Sequence, residues 1–105
     1  MRVKLSRSAR RDLEDIRRYT VDRWGQAQWL RYYVGLLAAF ERIANDSLCG
    51  RPRDMLAKGL RSLTHEQHVI FFGPIQRAAG AVVIVRLVHQ RRNVAALSFT
   101  DDLEG

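Results

Sequence analysis

The side chains of this chain best suited to chemistry are a histidine and several arginines. His89 and Arg91 close an apolar run, Arg86 lies inside it, and Arg61 sits further upstream. An imidazole with its ordinary pKa near 6.5 takes or gives a proton at neutral pH. Arg61, Arg86 and Arg91 are cations that could hold the charge of a phosphoryl transfer. Cleavage of RNA through its 2′-hydroxyl also needs two proton carriers, one for the hydroxyl and one for the leaving oxygen. His89 fills one place. Glu66 is the only carboxylate near the predicted rim of the sheet, and it lies in a turn. No Tyr or His follows His89, and Phe99 transfers no protons. The set is under-equipped for a nuclease, and no catalytic residue is assigned. Cys49 and the scattered histidines lack metal-ligand spacing, and no Gly-rich phosphate loop is present. Neither a metal nor a cofactor is expected.

The element that must position these groups is residues 81–92. Its first five residues are small or β-branched and favour a strand. Alternation predicts Val82, Ile84, Arg86 and Val88 on one face, and Val83, Val85, Leu87 and His89 on the other. Both faces are apolar, so the strand should be buried on both sides in mid-sheet. Arg86 then needs a partner, because an unpaired buried charge is costly. Glu66 and the acidic tail are the candidates.

The remaining elements read in order. Residues 2–5 alternate apolar and basic, as in a short edge strand. Ser6, or Ser8 two residues on, is suited to cap a helix over 7–24. Ala9, Leu13, Ile16, Thr20 and Trp24 give that helix one narrow apolar stripe, with Glu14 and Arg18 placed for a favourable pair. Gly25 suits its end. A second helix over 26–45 is apolar around most of its circumference and needs cover on more than one side. A basic loop over 46–59 precedes strands at 60–64 and 68–72, joined by residues 65–67 as a hairpin turn. The order is β-α-α-β-β-β. The expected fold is α+β, an antiparallel sheet with a helical hairpin packed on one face. The tail should dock by Leu97 and Phe99 and fray afterwards.

The 105 residues suit one domain. A content of 47 % hydrophobic and 28 % charged residues excludes a disordered chain. No apolar run approaches the roughly 20 residues that span a bilayer, and no signal peptide is apparent. A single cysteine forbids an internal disulfide and favours a cytosolic location. The net charge of +7 calls for an anionic partner, either nucleic acid or an acidic protein. A plain nucleic-acid-binding module would want aromatic residues on the sheet for stacking. Only Phe71 and Phe72 are there, and core packing explains them more simply.

Taken together, several short motifs resemble the ParE branch of the RelE/ParE toxins. They are Leu5-Ser6 opening a charged helix with Asp12-Leu13 and Ile16, Tyr19 with Trp24-Gly25, and Gly50-Arg51-Pro52-Arg53. Gly59-Leu60-Arg61-Ser62-Leu63, His68-Val69-Ile70-Phe71-Phe72, and Ile84-Val85-Arg86 leading to His89 and Arg91 complete the set. The likeness covers about residues 3 to 93. The chain departs from the pattern at Arg7, where proline is common, at the longer apolar loop 73–80, and at Asn93, where Asp is usual.

The resemblance implies the toxin half of a type II toxin–antitoxin pair with the fold inferred above. ParE-like members inhibit DNA gyrase by protein–protein contact, whereas RelE-like members are ribosome-dependent mRNA endonucleases. The poor proton-transfer set favours gyrase inhibition. The implied partner is a ParD-like antitoxin whose acidic C-terminal segment wraps the toxin in a hetero-oligomer, operator DNA being touched only through it. Arg61, His89, Arg91 and Arg92 are the candidates for gyrase contact. Trp24, Trp29, Tyr32 and Leu36 are the candidates for the antitoxin's amphipathic segment, with Arg61 and Arg86 for its acidic part.

Overall fold

The computed structural model describes residues 2–74 and 81–92. β1 (Arg2–Leu5) leads into α1 (Arg7–Trp24) and α2 (Gln26–Asn45). β2 (Arg51–Pro52), β3 (Arg61–His65), β4 (His68–Pro74) and β5 (Ala81–His89) follow. The five strands form one sheet in the order β1-β5-β4-β3-β2. The helical hairpin lies on one face, as the apolar periodicity requires. The expected docking of Leu97 and Phe99 falls outside the described residues.

Three features depart from the expectation. β1 pairs with β5 in parallel, Val3 opposite Val82 and Leu5 opposite Ile84. The long crossover through both helices permits this, since a parallel pair cannot be joined by a tight turn. Residues 51–52, expected in a loop, pair with Ser62 and Arg61 as an edge strand. The third departure is in β5 itself. Phe71 faces Arg86 but Phe72 faces Ile84, so Val85 is an extra residue at a bulge. The bulge resets the alternation. Val82 and Ile84 on one side of it and Leu87 on the other all join the helix-side core with Leu36, Phe40 and Ile43. Val83, Val85 and Val88 join Leu60 and Phe71 in a second cluster, with Leu56 and Ala57 of the β2–β3 loop packed on it. The strand is thus buried on both faces, with Val88 on the face opposite to Val82 and Ile84.

Local chemistry fixes the helix ends. Ser6 Oγ accepts from the Ala9 amide at 3.0 Å and donates to the Val85 carbonyl at 2.7 Å. One hydroxyl therefore caps α1 and ties its start to β5. Gly25 has φ +92° with open space around its Cα. Its role is conformational: it ends α1 and begins α2 without the strain that a side chain would carry there. The β3–β4 turn is the two residues Glu66 and Gln67, since His65 and His68 pair directly. Glu66 adopts φ +52° to close it.

Candidate partner-binding surface

Arg86 and Asp12 set the position of α1 on the sheet. Arg86 Nε and Nη2 donate to the Asp12 carboxylate at 2.7 and 3.1 Å, and the Leu87 amide donates to the same carboxylate at 3.0 Å. Both side chains are about 15 % exposed. Among the described residues, the carboxylate that pairs with Arg86 is Asp12, not Glu66, and the acidic tail lies outside them. A guanidinium committed to this pair is a fold element, which makes it a poor landing point for an acidic tail.

Arg61 is committed in a different way. Its guanidinium donates to the carbonyls of Leu48, Cys49 and Gly50 at 2.6, 3.1 and 3.2 Å. It ties down the chain that leaves α2. Its partners are main-chain carbonyls of the loop, so this cation is satisfied without a carboxylate.

Past α1 lies a groove of about 740 Å³. Ile16, Tyr19 and Trp24 of α1 form one wall, and Leu87, Val88 and His89 of β5 form another. Gln28 and Tyr32 of α2 and Gln67 and His68 of the β3–β4 hairpin complete it. Tyr19 and Trp24 are 58 % and 68 % exposed, large areas of aromatic surface for a free chain. Arg23 lies over the Tyr19 ring, 5.2 Å from its centre. On α2, Leu30, Val34 and Leu37 form a second exposed apolar stripe at helical spacing.

Tyr32 packs against His65 and His68, and His68 in turn packs against His89, so the three histidines of the chain form one cluster beside the groove. The Tyr32 ring lies 5.2 Å from His65 and 5.6 Å from His68, and His68 lies 5.6 Å from His89. The Tyr32 hydroxyl and His68 Nδ1 share a hydrogen bond of 2.7 Å. Burial, then the neighbouring His89 and His65, push the His68 pKa down to about 4. His68 is therefore neutral at physiological pH. Burial and the Glu66 carboxylate push the Tyr32 hydroxyl up. Gly35 makes room for this packing, because a Cβ there would meet His65 Cε1 at 2.9 Å. The sequence reading assigned nothing to His65 or His68, since 24 and 21 residues separate them from His89 and only the hairpin register unites them. Among the described residues, no group of three or more His, Cys, Asp or Glu could hold a metal ion.

The proposed contact residues are thus divided. Trp24 and Tyr32 line the groove. Trp29 and Leu36 do not offer a surface: they are 6 % and 0 % exposed. Trp29 stacks on Tyr33 at 5.2 Å, and Leu36 lies in the main core. The helix phase placed them on an apolar face, and the sheet and α1 covered it. His89, Arg91 and Arg92 are exposed at the exit of β5. There the Arg91 amide donates to His89 Nδ1 at 3.2 Å and the Arg92 amide to the His89 carbonyl at 2.9 Å.

A fold with this order, and a committed Asp12–Arg86 lock beside an aromatic groove, can be compared with known proteins. The family model described as "ParE toxin of type II toxin-antitoxin system, parDE" matches residues 3–94. The chain belongs to the ParE toxin family. Toxin ParE1 of Caulobacter vibrioides is 38 % identical over 93 residues, which are 89 % of this chain and 93 % of that protein. Toxin ParE1 of Mycobacterium tuberculosis (strain H37Rv) is 36 % identical over the same shares. A solved structure described as "Chromosomal ParDE TA system from P. aeruginosa" superposes with a TM-score of 0.69. It is 22 % identical, covers 85 % of this chain and 95 % of its own, and supports the fold. The ParE fold is therefore α+β, with two helices on a mostly antiparallel sheet. No helix among the described residues is long and apolar enough to cross a membrane.

Proposed function

We propose that this ParE-family chain is a cytoplasmic toxin that inhibits DNA gyrase by protein–protein contact, without catalysing a reaction, and that a ParD-like antitoxin neutralises it. The observation that carries the antitoxin half is the groove. Tyr19 and Trp24 stand more than half exposed beside buried Leu87 and Val88. Large exposed aromatics beside an apolar floor suit an amphipathic segment laid against them. The exposed stripe of Leu30, Val34 and Leu37 extends the area that such a partner can cover. For gyrase, the cations free of ion pairs among the described residues at the β5 exit, Arg91 and Arg92, are better placed than Arg61.

The test is supercoiling by purified gyrase with added protein. Inhibition with accumulated cleaved DNA, relieved by the antitoxin, is expected. Full supercoiling at saturating protein would end the gyrase reading.

One observation favours the RelE-like mRNA endonuclease as a second reading. His68 gives His89 the second imidazole that no residue after His89 supplies. Two features oppose it. His68 is already held by Tyr32, and the Asp15 carboxylate, which has no ion pair among the described residues, lines the same groove and repels phosphate. Cuts in translated mRNA that vanish with His89→Ala would favour this reading over the first.

A further inference from the structure

The groove does not share the charge of the molecule around it. The chain carries +7, and a strongly basic surface attracts acidic partners. Yet the carboxylates and guanidinium lining the groove are Asp12, Asp15 and Arg92, beside His89 and a neutral His68. Asp12 is neutralised by Arg86. Asp15 is exposed on the α1 wall and has neither ion pair nor hydrogen bond among the described residues. The Arg92 guanidinium, at the turn after β5, is likewise without a side-chain partner among them. An apolar groove with one unpaired carboxylate and one unpaired guanidinium selects the charge pattern of what it holds.

We infer that the antitoxin segment seated in this groove carries charges of both signs: a Lys or Arg that meets Asp15, an Asp or Glu that meets Arg92, and an apolar face between them. This rests on the groove being the antitoxin's seat, and it names the chemistry of the segment that fits. A uniformly acidic segment would set a carboxylate against Asp15 in a partly desolvated contact, and like charges so placed are strongly disfavoured. The acidic part of the partner then belongs on the outer basic surface, such as Arg7, Arg10 and Arg11 at the start of α1, all exposed.

The substitution Asp15→Lys separates the two possibilities by sign. The probe is a full-length ParD-like antitoxin that neutralises this chain, titrated against the intact chain at low salt. If the segment is uniformly acidic, an added lysine strengthens binding. If it carries a cation at Asp15, the lysine weakens binding by about tenfold, and less so at high salt. One Lys or Arg→Glu change in the partner then restores it. Tighter or unchanged binding by Asp15→Lys, in a chain whose Trp24→Ala form binds weakly, overturns the inference and leaves the groove reading in place. If Trp24→Ala and Tyr19→Ala also bind unchanged, the groove is not the seat, and both fall. Asp15 is a surface helix position, so thermal unfolding of Asp15→Lys should match that of the parent chain.

Discussion

Asp12 and Arg86 form a two-point ion pair although 74 residues separate them in the chain. One end is a helix that follows the first strand, and the other is the strand that pairs with it. The contact therefore closes the β1–α1–β5 unit and sets one end of the groove. Removing either partner takes the facing charge away from a largely buried ion, and breaking a buried pair in this way typically costs about 3–5 kcal/mol. Arg86→Ala and Asp12→Ala should each lower the urea midpoint by that measure. The double substitution Asp12→Leu with Arg86→Met should cost less than the sum of the single ones, because it leaves no unpaired charge. Additive losses in that double-mutant cycle would show that the pair contributes little.

The two tryptophans flank one turn and should behave oppositely. Trp29 is buried and stacked on Tyr33, so Trp29→Ala should cost about 3–5 kcal/mol of stability. Trp24 is 68 % exposed, and Trp24→Ala should change stability by no more than about 0.5 kcal/mol while weakening the antitoxin. Denaturation curves together with binding titrations separate the two effects. A Trp24→Ala chain as unstable as Trp29→Ala would contradict this division.

Stability should depend on pH through His68. Its pKa is near 4 in the fold and ordinarily about 6.5, so between these values the unfolded chain holds the proton more readily. Stability is then complete above about pH 6.5, declines as pH falls towards 4, and levels off below. His68→Phe should flatten this window, at the expense of the Tyr32 hydrogen bond. Imidazole resonances followed by NMR give the direct check: a His68 titration near 6.5 in the folded chain would rule the mechanism out.

Charge at the exit of β5 should matter for the target, and charge at Arg61 for the fold. Arg91→Ala with Arg92→Ala should leave unfolding unchanged within about 0.5 kcal/mol while weakening gyrase inhibition. Arg61→Ala removes the donors to three loop carbonyls, which should cost about 1–3 kcal/mol. Loss of inhibition by Arg61→Ala at full stability would return that residue to the contact surface.

Much of the fold was legible in the residues. The cap at Ser6, the stop at Gly25 and the two helix periods are local signals. They depend on one hydroxyl, one permissive backbone and the 3.6-residue repeat, and the observed helices, Arg7–Trp24 and Gln26–Asn45, follow them. The need of Arg86 for a partner was also legible, since burial of a charge demands one wherever it occurs.

Other features had no local signal. The parallel pairing of β1 depends on where a long crossover returns, and the bulge at Val85 on how β5 meets β4. That single extra residue moved Leu87 and Val88 to faces that strict alternation did not assign. Likewise, helix phase marks Trp24, Trp29 and Leu36 alike as apolar, and only the packing of α1 and the sheet on α2 decides that Trp24 stays outside. The chain of ring contacts from Tyr32 to His65 and His68, and from His68 to His89, is of the same kind, because residues distant in sequence become neighbours only through strand register. Sequence alone determined the elements, their order and the charges that needed partners. Tertiary structure decided which partners they found, and so which cations and aromatic rings remain free to meet another protein.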